Sequence, residues 1–478
     1  MTVPERPYDE LCPEGLRGHV PIPPPGPVST ALLSRLLASE APAAHALGRG
    51  DRPPVWQRAL GSLVWDVDGN RYLDFASGFG AAAVGHAHPR VTAAVQAQAA
   101  RLTHGFGDVH PHEPRVLLAE RLAALAPFPD ARVVFAQSGA EAVELALKTA
   151  HLATGKPGVL AFTAGFHGQS QGGLEVSGWE RFRAPFERHA TSPLHGRARW
   201  APYGRCTRCD LGLSYPACGI GCVREAGRIL ESAEKRLGGV GAILVEPILG
   251  RGGDHVPPSE WLPGIAELAR RSGALLVADE IYTGLGRTGA LWASVAQGVT
   301  PDLVCCGKAL GGGFPLAAVL MRADAAQGWQ AAAPVSGETL HSATFYAHPV
   351  ACAAALAALD VIHDEDLVTR AETLGHLLHE GLAQLAASYP DLVREVRGLG
   401  MMAGLVLDSP KHVHEVVAAC LAEGLILLPG GYEGDTLSFS PALTIDERQL
   451  AWGLSLLDHV LHERAPSHAA SPAAEENA

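Results

Sequence analysis

From about residue 88 onward, short apolar runs alternate with amphipathic stretches. This alternation predicts an α/β domain built on a largely parallel sheet. The candidate strands are Arg132 to Ala136, Gly158 to Phe162, Gly241 to Glu246, Ala274 to Asp279, Asp302 to Cys306 and Leu316 to Met321. Between them lie segments such as Trp261 to Arg271, whose apolar positions recur at helical spacing. Ahead of this region, Ser62 to Phe75 carries a DG turn at Asp68 and Gly69 and predicts a hairpin. Residues 1–27 hold Pro21, Pro23, Pro24, Pro25 and Pro27 and read as an extended arm, with a short helix from Thr30 to Ala38 after it. Past residue 345 come an alanine-rich helix (Pro349 to Asp360), further strands and a last helix from Asp446 to Glu463.

The expected organisation is therefore an arm (1–27), a first part of a small domain (28–87), a large domain (88–344) and the rest of the small α+β domain (345–463). A polar tail (464–478) is expected to be disordered. Four of the nine cysteines fall in one stretch, 203–223, which reads as an insertion in the large domain. Internal repeats are absent.

At 478 residues the chain suits two or three units of ~150 residues each. With 47% hydrophobic and 18% charged residues it can bury a substantial core. The net charge of −13, with no basic block, argues against nucleic acid or an acidic membrane surface as partner. Met1 to Glu10 contains no apolar signal core, and no run of ~18 apolar residues marks a membrane span. The uneven cysteines do not form the framework of a small secreted domain, so a cytoplasmic location is expected.

Lys308 follows the apolar run Leu303 to Cys306 and precedes Gly311-Gly312-Gly313. A lysine at the end of a buried strand is costly unless paired or chemically used, and the glycines let backbone approach a bound group. As a P-loop the stretch fails, because Asp302 stands where the first glycine belongs and Ala309 where Ser or Thr belongs. A nucleophilic amine that forms an imine fits, as does an ordinary strand-end lysine. Asp279 closes the run Ala274 to Ala278 at the strand edge where open α/β sheets bind ligands, although it could equally cap a loop. Ser138-Gly139-Ala140-Glu141 opens a helix, giving either a phosphate site or a plain N-cap.

These pieces fall in the order of one family. The stretch from Gly61 to Glu463 resembles the class III aminotransferases, the ornithine, acetylornithine and 4-aminobutyrate transaminase group. The matching motifs are Val64 to Gly69, Gly85-His86, His88-Pro89, Ser138 to Ala142, Phe166-His167-Gly168 and Glu246-Pro247. They continue with Asp279 to Gly284, Gly286 to Gly289, Gly307 to Gly313, Thr344-Phe345, His348-Pro349 and Val396 to Gly400.

The resemblance implies pyridoxal phosphate (PLP) fold type I, with a mostly parallel seven-stranded sheet flanked by helices. It implies an aminotransferase that moves an amino group from an amine or amino acid to a keto acid or aldehyde. Lys308 would hold PLP as a Schiff base and shuttle a proton, and Asp279 would pair with the pyridine nitrogen. Phe166 would stack on the ring. Gly139 and Ala140, with Ser138 nearby, would meet the phosphate, and Thr344 would serve the cofactor of a neighbouring subunit in a homodimer. Glu246 would lie toward the substrate.

Three positions depart from the family. Tyr282 replaces a glutamine that bonds the cofactor's phenolic oxygen, and a phenol can still donate that bond. Gln169 and Ser438 replace two arginines that grip substrate carboxylates in ornithine-type members. A charge-assisted contact is worth about 1.5–3 kcal/mol, so a substrate relying on them would bind ~10-fold or more weakly. Arg251, in Gly250 to Gly253, is either a replacement anchor or a solvated loop charge.

Cys206, Cys209, Cys218 and Cys222 have spacing close to a structural zinc knuckle, or are free thiols or a disulfide in a loop. The His110/His112 and His86/His88 pairs lack a matching carboxylate cluster. Two other enzyme readings remain: a racemase, decarboxylase or phospho-lyase on the same fold, and a nicotinamide dehydrogenase suggested by Gly284 to Gly289.

Overall fold

The expected hairpin gains a strand. β1 (Trp56–Leu60) pairs antiparallel with β2 (Leu63–Asp66), which pairs with β3 (Arg71–Asp74). The structure, a computed structural model, describes residues 12–41, 53–187 and 195–464. Asp66 Oδ1 accepts from the backbone N–H groups of Asp68 and Asn70 at 2.9 Å each, and Gly69 takes φ 93°, a conformation few side chains tolerate.

The seven-stranded sheet that follows contains β4 (Arg132–Ala136), β5 (Gly158–Phe162), β6 (Ala198–Ala201), β7 (Val240–Val245), β8 (Leu275–Asp279), β9 (Leu303–Cys306) and β10 (Ala317–Met321). Its order is β4-β10-β9-β8-β7-β5-β6. β10 runs antiparallel to both its neighbours, and the other pairings are parallel. β5, β7 and β10 are buried along their whole length, as strands covered on both faces must be. Helix Gly139–Thr154 lays Val143, Leu145, Ala146 and Leu147 on one face, and helix Trp261–Ser272 lays Trp261 and Ile265 on the other.

The alanine-rich helix runs from Pro349 to Asp364, longer than expected. Its Ala354, Ala355 and Ala358 allow close packing into the largest core cluster. β11 (Val393–Leu399), β12 (Met402–Leu407), β14 (Leu428–Gly430) and β15 (Thr436–Phe439) form an antiparallel sheet in the order β11-β12-β15-β14, while β13 (Leu425–Ile426) crosses over to pair with β3. The two ends of the chain thus share a sheet.

The described part of the proline-rich arm lies against that sheet, with His19 bridged to Arg71. Residues 1–11 of the arm and 465–478 of the expected tail fall outside the described residues. Among the described residues no helix is long and apolar enough to cross a membrane.

Candidate active site

Four neighbouring strands deliver the chemistry. In the order β9, β8, β7, β5 their C-terminal ends lead to Lys308, Asp279, Glu246 and Phe166. The parallel registers set Asp279 opposite Cys305 and Val245 opposite Ala278, so residues distant in sequence share one edge of the sheet.

Lys308 adopts φ 43°, unusual for a residue with a side chain, and its Nζ lies 3.8 Å from the centroid of the Tyr282 ring. Burial lowers its pKa, Arg287 and Arg251 push the same way, and Asp279 and Glu246 oppose them; the result is about 8. Such an amine is neutral more often than an exposed lysine. Two glycines admit the Tyr282 ring: a Cβ on Gly250 would stand 2.3 Å from it and one on Gly80 2.9 Å. The Tyr282 hydroxyl bonds Ser440, and burial pushes it up to about 12.

Asp279 accepts from His167 Nδ1 at 2.7 Å and from the Ile281 N–H at 3.2 Å. Burial alone would lower the His167 pKa, but the Asp279 hydrogen bond and the charges of Asp279 and Glu246 raise it. Glu246 accepts from the Phe166 N–H at 2.8 Å and the Gly250 N–H at 3.0 Å, and burial raises its pKa to about 7. It thereby fixes the Phe166 backbone relative to the Gly250–Arg251 turn.

Ser138 caps its helix by accepting from the Glu141 N–H at 3.2 Å. A Cβ on Gly168 would lie 2.4 Å from that of Ala140, and one on Gly139 would lie 2.9 Å from Ile281. The helix start therefore sits against the Phe166–Gly168 turn and the residues after Asp279. A half-buried amine, a buried carboxylate, an aromatic face and a helix N-terminus within one neighbourhood fit an aldehyde-bearing, phosphorylated pyridine.

Phe166, Arg251, Tyr282, Lys308 and Ser438 line one open cavity of about 480 Å³. Other expected residues lie elsewhere. Gln169 and Thr344 are exposed and off the cavity lining. Ser438 donates its hydroxyl at 3.0 Å to Asp254, a fully buried carboxyl whose pKa burial raises. Trp179, Arg181, His414 and Gly430 also line the cavity and were not expected. Arg181 and Trp179 had one signal, the basic and aromatic interleaving of Trp179-Glu180-Arg181-Phe182.

The zinc expectation is corrected. Cys206, Cys209, Cys218 and Cys222 surround one cavity of about 10 Å³, room for roughly one water. Among the described residues, however, no three His, Cys, Asp or Glu side chains are placed to hold a metal ion. Leu213, Tyr215 and Ile220 share the lining, and burial, with the other three thiols, pushes Cys206 up to about 11.

The dehydrogenase reading fails as well. Gly284 to Gly289 lie in successive turns, and the next helix, Ala293–Ala296, is only four residues long. Two of the histidines are otherwise engaged, His86 with Asp74 at 2.8 Å and His112 as the cap of helix Glu113–Leu125.

Residues 47–461 match the family model described as aminotransferase class III. The chain is 35% identical over 412 residues to an acetylornithine aminotransferase of Methanothermobacter thermautotrophicus, covering 86% of this chain and 95% of that one. It is 36% identical over 424 residues to a 5-aminovalerate aminotransferase of Pseudomonas aeruginosa, with 86% and 94% covered. An amine transaminase from an uncultivated Pseudomonas species, solved with PLP bound, superposes with a TM-score of 0.78 at 30% identity, covering 90% of this chain and 100% of that one. The comparisons favour neither the racemase, decarboxylase nor lyase alternative. The chain belongs to the class III aminotransferases, PLP-dependent transferases of fold type I.

Proposed function

We propose that Lys308 holds PLP through its Nζ and serves as the proton carrier of an amino transfer from an amine or amino acid to a keto acid or aldehyde. PLP, when bound, supplies an aldehyde carbon for the donor amine and a ring that accepts an electron pair. Asp279, held by His167, keeps a negative charge at the ring nitrogen. Phe166 covers one face of the ring. The N–H groups of Gly139 and Ala140, beside Ser138, receive the phosphate, and the Tyr282 ring supports the Lys308 amine. Once free of the cofactor, the Lys308 amine would take a proton from the donor carbon and deliver it to the cofactor side, the transfer that moving the amino group requires.

The observation that carries this reading is the Lys308 amine, with its pKa lowered to about 8, beside a buried Asp279–His167 pair. A homodimer belongs to the proposal. Thr344 would reach the neighbouring subunit's phosphate, and the exposed Phe106 and Phe345 near it suit a covered surface. A reducing, cytoplasmic setting is supported by nine unpaired cysteines.

The test is the visible spectrum of the holoenzyme during titration with amines. A cofactor band missing in Lys308→Ala, bleached by one donor and restored by a keto acid, is expected. A band that no donor alters, or that yields ammonia, would favour racemase or lyase chemistry.

A further inference from the structure

Two arginines wall the cavity beside Lys308, and among the described residues no aspartate or glutamate lines it. Arg181, Arg251, Lys308 and His414 contribute to its wall, while aspartate and glutamate contribute none of its lining residues. Arg251 follows Gly250, which Glu246 fixes at 3.0 Å, and it precedes Gly253, whose carbonyl accepts from Arg397 at 3.4 Å. The Arg251 guanidinium carbon stands 4.6 Å from the Phe166 ring centroid, 5.1 Å from Phe182 and 5.5 Å from Trp179.

Arg181 uses the same aromatic pair, at 4.2 Å from Trp179 and 5.6 Å from Phe182, and it donates at 3.1 Å to the Tyr432 carbonyl. Trp179 and Phe182 are themselves stacked at 5.3 Å. Partial burial, then the charge of Arg181, lowers the Arg251 pKa. Among the described residues no carboxylate pairs with Arg251. Two guanidiniums gathered on one aromatic platform repel each other unless an anion arrives between them.

We propose that Arg251 and Arg181 form an anion subsite for the distal carboxylate of an amino-acid donor, whose reacting amine lies at the other end of a short aliphatic spacer. The inference rests on Lys308 being the reacting amine. Stacking on aromatic faces leaves the N–H edges of a guanidinium free to form a fork around a carboxylate. Neither residue at the family's usual arginine positions competes for this task, since Gln169 is off the cavity and Ser438 spends its hydroxyl on Asp254.

The test compares 5-aminovalerate with pentylamine, the same carbon chain without the carboxylate, as donors to the holoenzyme. The quantity read is the ratio of their kcat/KM values in the wild type, Arg251→Ala and Arg251→Lys. Calorimetric binding of glutarate, a dicarboxylate with no amine to transfer, supplies a readout independent of turnover. We expect the wild type to prefer the carboxylated donor. Arg251→Ala should cut that preference ~10-fold or more through KM, with Arg251→Lys in between, because a lysine keeps the charge and loses the fork.

Glutarate affinity should fall in the same order and weaken with added salt. A wild type without preference, or an Arg251→Ala variant that keeps both preference and glutarate affinity, overturns the subsite. Absence of any cofactor band would instead refute the Lys308 assignment, and glutarate binding would still decide the subsite.

Discussion

Arg205 sets its guanidinium 3.2 Å from Glu433, tying the cysteine-rich segment to the loop that walls the cavity. The same guanidinium, only 6% exposed, meets Asp210 at 2.6 Å, and Arg208 pairs with Asp435 at the far end of that loop. Gly430, Gly431 and Gly434 of this loop line the cavity. The cysteine-rich segment therefore braces the wall of the cavity.

Arg205→Ala should lower stability by about 1–3 kcal/mol. That is less than a fully buried pair would lose, because both partners are partly in solvent. The donor KM should rise alongside. Thermal denaturation and steady-state kinetics check the two effects; lost stability with an unchanged KM would show that the loop is positioned by other contacts.

The Lys308 pKa sets a direction for cofactor uptake. Only the neutral amine attacks an aldehyde, and this amine loses its proton as pH rises through about 8, below the ordinary lysine value. Capture of PLP by the apoenzyme should accelerate as pH rises through that value and level off above it. Absorbance after rapid mixing at a series of pH values gives the profile, and a flat response across it would contradict the assignment.

Gly250 is constrained by a side chain, since its added Cβ would stand 2.3 Å from the Tyr282 ring. Gly250→Ala should cost about 1–3 kcal/mol through overpacking. It should also displace the ring from Lys308 and shift the cofactor band. Gly15→Ala is the matched control, for a Cβ there meets nothing within 4 Å, and its effect should stay within about 0.5 kcal/mol. Equal melting temperatures for the two variants would mean that the ring moves freely.

Much of this architecture was legible because buried strands advertise themselves as apolar runs. β4 and β5 match their expected bounds, and the run before Lys308 differs by one residue. β6 was not expected, because an edge strand of four residues with half-buried Arg199 and Trp200 carries no such run. Asp279 and Lys308 could be found because one ends a strand and the other stands two residues past one, while Glu246 was reached through the family motif Glu246-Pro247. Gly430 could not, for it reaches the cavity only through tertiary folding, and Trp179 and Arg181 left no more than the aromatic and basic interleaving of residues 179–182. Cysteine spacing did foretell one thing, that the four thiols gather, for all four line one small cavity together with Leu213 and Tyr215.

The proposed homodimer makes a prediction that mixing can settle. Thr344 is exposed, its carbonyl bonds His104 at 2.8 Å, and Phe345 beside it is 52% exposed. If Thr344 serves the neighbouring subunit's phosphate, Thr344→Asp should repel that phosphate and nearly abolish activity, as Lys308→Ala should by removing the amine. Each variant alone forms only defective sites. In a heterodimer of the two, one site draws both defects and the other draws the intact Lys308 of one chain and the intact Thr344 of its neighbour. Random reassociation makes half the dimers mixed, each with one working site of two, so activity should recover to about a quarter of the wild-type value. If Thr344 acted within its own subunit, every site in the mixture would carry one defect and no activity would return.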